Sequence, residues 1–130
     1  MKKKFLDVML SADSIVIYSD GKEFNIKEYS FKKEFLALSE GAYYMPGMAV
    51  AEDKVIKRER LSGIWLDFRF KNKVEFAELS FDTLTLRVRP NLDGFNVIRG
   101  NEGDFSGKTY YLQLATYSDD FYEYISSYIK

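Results

Sequence analysis

Between residues 63 and 116 apolar and polar side chains alternate with a period of two, and the connections between the alternating runs are short. Ile64, Leu66, Phe68 and Phe70 alternate with Trp65, Asp67 and Arg69. Leu84, Leu86 and Val88 alternate with Thr85, Arg87 and Arg89, and Tyr110, Leu112 and Leu114 oppose Tyr111, Gln113 and Ala115. Period two is the mark of a strand with one buried face. Parallel neighbours need a long crossover, so connections this short predict antiparallel pairing.

Turn chemistry divides the runs. Lys71-Asn72-Lys73 predicts a turn into Val74-Glu75-Phe76, whose phase slips near Ala77-Glu78 before Leu79 and Phe81. A one-residue slip exchanges the two faces, which predicts a bulge or bend there. Pro90-Asn91-Leu92-Asp93-Gly94 reads as a turn, Phe95 to Arg99 as a short strand, Gly100 to Gly107 as a loop and Lys108 to Thr116 as a further strand.

The first half adds a hairpin and helices. Ser14 to Tyr18 and Glu23 to Lys27 flank Ser19-Asp20-Gly21-Lys22, and Asp20-Gly21 suits the positive φ of a primed turn. Residues 3–11 predict a short amphipathic helix with Phe5, Val8 and Met9 on one side. A second helix over 31–40 follows Ser30 as N-cap and stops at Gly41, with Phe31, Phe35 and Leu38 at helical spacing. Residues 41–47 predict an aromatic loop, 52–61 a helix ended by Gly63, and a last helix starts near Asp119. Asp119 and Asp120 favour its positive end, while Phe121, Tyr124, Ile125, Tyr128 and Ile129 form its apolar stripe.

The expectation is one α+β domain over 1–130, a mostly antiparallel sheet of about 5–7 strands packed against N-terminal, middle and C-terminal helices. The C-terminal helix is expected on the face carrying Ile64, Leu66, Phe68, Leu84, Leu86, Val88, Leu112 and Leu114. With 46% hydrophobic and 30% charged residues the chain is globular rather than disordered, and 10 Tyr, 11 Phe and one Trp supply a core without disulfides.

Function is constrained chiefly by what is missing. The 130 residues contain neither histidine nor cysteine. That removes Ser-His-Asp and Cys-His nucleophile systems and zinc sites built on those ligands. No phosphate loop, dinucleotide fingerprint or nucleophile elbow occurs. No cofactor and no metal are expected. Gly100 to Gly107 offers oxygen ligands but not the spacing of an EF-hand, and Asp119-Asp120 and the basic stretch Lys54 to Arg60 read as a helix start and a solvated helix face. Glu75 and Glu78 straddle the phase slip, and a carboxylate pair there would need a substrate cleft between them.

The candidate site is the polar-aromatic face of the sheet, with Trp65, Arg69, Arg87, Arg89 and Tyr111 as binding residues and Asp67, Thr85, Gln113 and Tyr117 beside them. Trp, Tyr and Arg are the side chains enriched at binding hot spots. The expected function is therefore a non-catalytic module that binds a protein or peptide. Two alternatives remain open: a small-ligand binder or enzyme using carboxylates and Tyr under the 41–50 loop, or an oligomer subunit whose polar-aromatic face is the dimer seam. Tyr43, Tyr44, Met45 and Met48 form a second candidate contact surface or the edge of the core. A net charge of −1 and Asp67 within the face argue against nucleic acid. Lys2 to Lys4 imitate the start of a signal peptide, but the apolar stretch after them is short and broken by Asp7. No run reaches the length of a membrane span, and a cytoplasmic location is expected.

Overall fold

A computed structural model describes residues 4–129, with the backbone alone for 46–48. The first residues of the basic start and of the first predicted helix, and the side chain of Met48, lie outside the described residues. Seven strands, β1 (Ser14–Ser19), β2 (Lys22–Asn25), β3 (Tyr43–Ala51), β4 (Ile64–Phe76), β5 (Leu79–Val88), β6 (Gly94–Gly100) and β7 (Gly107–Gln113), form one sheet in the order β2-β1-β4-β5-β6-β7-β3. Every pairing is antiparallel. Four helices accompany it: α1 (Phe5–Leu10), α2 (Phe31–Leu38), α3 (Asp53–Glu59) and α4 (Asp119–Ser126), the last continuing into a 3₁₀ turn, Ser127–Ile129. The expected α+β architecture is the observed one. Among the described residues no helix is long and apolar enough to cross a membrane.

The strand order dictates where the helices run. β2 and β3 are consecutive strands at opposite edges of the sheet, so α2 crosses between them; β3 then leads through α3 to the inner strand β4. The two crossings use opposite faces. Phe31 and Phe35 of α2 join Phe5, Val8 and Met9 of α1 and Phe121 and Ile125 of α4 in one buried cluster with Leu66, Phe68, Leu84, Leu86, Val88 and Leu112. Phe35 stands 5.7 Å from Phe68 and 5.5 Å from Phe121, both edge-on, which is a favourable aromatic geometry. Ile56 of α3 packs on the other face, with Ala51, Trp65 and Ile98.

Local rules account for most boundaries. Asp20 (φ 48°) and Gly21 (φ 82°) make the primed turn between β1 and β2. Three local expectations are corrected. Ser30 has helical backbone angles and makes no side-chain capping bond. Residues 43–51, expected as a loop at least to Gly47, are an edge strand paired with β7, its register shifting between Pro46 and Val50. Lys71-Asn72-Lys73 is not a turn: β4 runs through it with a register shift between Arg69 and Val74, and the chain reverses at Ala77-Glu78.

That reversal is unusual. Ala77 (φ 50°) and Glu78 (φ 67°) both occupy the left-handed region between the paired residues Phe76 and Leu79. Left-handed backbone costs L residues other than Gly, Asn and Asp about 1–2 kcal/mol each. Asn-Gly is the sequence this turn prefers. The double substitution Ala77→Asn, Glu78→Gly is therefore expected to raise stability by roughly 1 kcal/mol, read as a higher urea midpoint at unchanged slope.

The turn is held from below by Tyr110, fully buried on β7, whose hydroxyl donates to the carbonyl of Phe76 at 2.6 Å. Burial raises the pKa of this phenol, and burial together with the Tyr128 hydroxyl raises that of Tyr124. The unfolded phenol ionises near about pH 10. A folded pKa above the unfolded one means a contribution fully present below about pH 10 and lost as pH rises toward the folded value. In an alkaline titration followed by tyrosinate absorbance, these two phenols should ionise only together with loss of the native signal.

Candidate functional site

The face opposite the three-helix layer is set by strand register. Trp65 lies across from Arg87 and Asp67 across from Thr85 on β4 and β5. The expectation that this face is open is corrected. Trp65 (1% exposed), Asp67 (1%) and Thr85 (0%) are buried, because α3 lies on them. Arg60, the residue after α3, reaches down and grips Asp67 with two bonds, Nη1 to Oδ1 at 2.9 Å and Nη2 to Oδ2 at 2.7 Å. Thr85 Oγ1 accepts from Arg60 Nη1 at 2.7 Å and donates to Asp67 Oδ1 at 2.6 Å. The guanidinium carbon lies 4.6, 5.4 and 5.0 Å from the ring centroids of Tyr18, Trp65 and Phe105. The Asp67 carboxylate, the Thr85 hydroxyl and both Arg60 terminal nitrogens are used within the cluster, so it holds α3 down.

The five predicted binding residues do not stay together. Arg69 bonds Glu23 on β2 and Asp67, at the β1–β2 side of the sheet. Burial opposes its charge, but those two carboxylates outweigh it and its pKa is raised. Arg69 is thus neutralised at a distance from the others. Gln113 donates to the carbonyl of Asp93, and Tyr117 is exposed beside Leu38 and Asp120.

Arg87, Arg89, Tyr111 and the edge of Trp65 do converge. They line a cleft of about 410 Å³ between the end of β3, α3, β5 and the β5–β6 turn. Its origin lies in the sheet pairing. β6 pairs with β7 through Gly94–Val97 but with β5 only at Ile98–Gly100, so the β5–β6 pairing ends at Thr85. The residues on either side of the turn are left to form two lips. Ser118 fixes that turn: its hydroxyl donates to the carbonyl of Arg89 at 2.5 Å and accepts the N–H of Leu92 at 3.0 Å.

Two glycines make room for the cleft's side chains. A Cβ on Gly63 (φ 82°) would stand 2.9 Å from both Nε and Nη2 of Arg87. A Cβ on Gly94 would stand 2.6 Å from Cζ of Tyr111. The Tyr111 hydroxyl donates to Asp93 Oδ1 at 2.9 Å, and its pKa is raised, first by burial and then by that carboxylate. The Arg87 guanidinium carbon lies 5.7 Å from the Trp65 ring. Among the described residues the ion pairs are Lys57–Asp53, Arg60–Asp67, Arg69–Glu23 and Arg69–Asp67, so Arg87 and Arg89 take part in none. Arg87 Nε is buried and has no hydrogen-bond acceptor among the described residues.

Gly63, Gly94, Asp93, Asn96 and Glu59 also belong to the site or its frame, and the sequence reading missed them. Asp93-Gly94 carries a local signal as part of a turn and Gly63 as the end of a helix, but neither signal points to a site. The other candidate surfaces are less built. Tyr44 packs 5.7 Å from Phe5 and 5.3 Å from Phe76 at the core edge, whereas Tyr43 and Met45 are exposed on β3. In the 100–107 loop Asn101 and Asp104 exchange backbone bonds, and Asp104 Oδ1 accepts the N–H of Ser106. Among the described residues no group of three His, Cys, Asp or Glu is placed to hold a metal.

Compared with protein-family models, with curated proteins and with solved structures, the chain matches none.

Proposed function

We propose that this protein is a non-catalytic binding module that receives a peptide or protein segment in the Arg87–Arg89–Tyr111 cleft. The observation carrying this reading is that two guanidiniums with no ion-pair partner among the described residues share a cleft with a tyrosine whose ring is seated against Gly94. Preset aromatic and arginine side chains supply contact area at low ordering cost. Trp65 acts here as the floor beneath Arg87 rather than as an exposed anchor.

Selection from a displayed random-peptide library on the immobilised domain tests it. Enriched peptides should bind the wild type and lose about tenfold or more in affinity to a folded Arg87→Ala, Arg89→Ala variant. Equal binding to both proteins refutes the cleft as the docking site. A second reading, a small-ligand binder, draws on Glu59 and Asp93 beside Tyr111 in the same cleft. Complete displacement of an enriched peptide by single acetylated amino acids favours that reading.

A further inference from the structure

Granting that the cleft is a binding site, we infer that it selects a singly charged carboxylate, an acidic side chain or a free chain terminus, through Arg87 and Arg89. Buried charges in proteins are compensated. The fold obeys this at the buried Arg60, and the half-exposed Arg69 also has carboxylate partners. Arg87 is half-buried and has no carboxylate partner among the described residues. Its Nε is removed from water and has no acceptor among the described residues, and its guanidinium lies against the Gly63 backbone and the Trp65 ring. Neither of these neighbours carries negative charge. An anion that reaches Arg87 from the cleft side meets Arg89, two residues along β5, as a second guanidinium. Planar guanidinium groups match the two oxygens of a carboxylate.

The remaining lining decides between anions. Glu59 enters from α3 and Asp93 from the β5–β6 turn. With the two arginines they leave the ionisable lining balanced in formal charge. A phosphate monoester, with a charge of about −1.5 to −2 at pH 7, meets more repulsion from those two acids than a carboxylate does. The volume of about 410 Å³ is at the small end of ligand sites and fits one or two residues of a segment.

The test is an NMR titration of the ¹⁵N-labelled domain, following the Arg87 and Arg89 side-chain N–H signals and the Gly63 amide. The probes are N-acetylglycine for a chain terminus, N-acetylglutamate amide for a side chain, neutral N-acetylglycinamide and inorganic phosphate. Saturable shifts with one or both carboxylates, none with the neutral amide and at least about threefold weaker binding of phosphate are expected. The carboxylate that binds more tightly identifies the source. Arg87→Met should abolish the response. Arg89→Met, at an exposed position, should weaken it and carries the test should the first variant not fold. No carboxylate response, an equal response to the neutral amide, or tighter binding of phosphate overturns the inference. Library peptides that bind without any acidic group or free terminus overturn it while leaving the module reading intact. Carboxylate probes that bind where no library peptide does sustain it and overturn the module reading instead.

Discussion

Alanine in place of Asp67 is expected to destabilise the fold by about 3–5 kcal/mol, the usual cost of stripping one partner from a buried ion pair. The loss leaves the Arg60 guanidinium buried at 8% exposure with Thr85 Oγ1 and three aromatic rings but no carboxylate. Arg60→Ala should cost less. Asp67 then keeps Arg69 at 3.2 Å and the Thr85 hydroxyl at 2.6 Å. The ranking is a direct consequence of the geometry, because the carboxylate has a second cation and the guanidinium has no second anion among the described residues. Replacing the cluster as a whole, by Arg60→Met, Asp67→Leu and Thr85→Val, should come near neutrality, since no charge is then left unpaired. Urea unfolding with a common slope supplies all three numbers. A cost below about 1 kcal/mol for Asp67→Ala would mean that water reaches the pair and that α3 is not clamped as described.

Strand periodicity made the three-helix side of the sheet legible in the sequence. Leu66, Phe68, Leu84, Leu86, Val88, Leu112 and Leu114 were assigned to one face, and they form the core under α1, α2 and α4. Side-chain alternation reports two faces but not which face a crossover covers. That depends on strand order, and nothing in residues 43–51 announces that this segment pairs with β7 at the far edge. Once β3 is placed there, the return to β4 must cross the sheet, and α3 buries Trp65 and Asp67. Arg60 was read as part of a solvated basic stretch because its partner lies on a strand seven residues on, outside any helical spacing rule. At Ala77-Glu78 the phase slip marks a bulge or bend, but the reversal of the whole chain there is not legible, for a different reason. Its residues are not those that turns favour, so the Lys71-Asn72-Lys73 signal, which resembles a turn, was preferred. The candidate site was half legible: residue types pointed to Arg87, Arg89 and Tyr111, while the glycine seats and the parting of β5 from β6 are properties of the assembled sheet.

Trp65→Ala should cost about 3–5 kcal/mol, as large-to-small changes of a buried aromatic do. The indole is 1% exposed, its Nε1–H donates to the carbonyl of Ser62 at 3.1 Å, and Ala51, Ile56 and Ile98 pack around it. It is also the surface on which the Arg60 and Arg87 guanidiniums rest, at 5.4 and 5.7 Å. α3 has seven residues, too few to be helical in isolation, so its docking depends on Ile56, Arg60 and this ring together. The costs of Trp65→Ala and Asp67→Ala should then fall short of additivity in the double variant, because either change alone releases the same helix. Trp65→Phe keeps an aromatic floor and should cost roughly 1–2 kcal/mol. The single tryptophan also reports its own position: native emission should be blue and resistant to acrylamide, turning red on unfolding. Red, readily quenched emission from the native protein would place the indole in water, leaving α3 undocked and the cleft beside it without a floor.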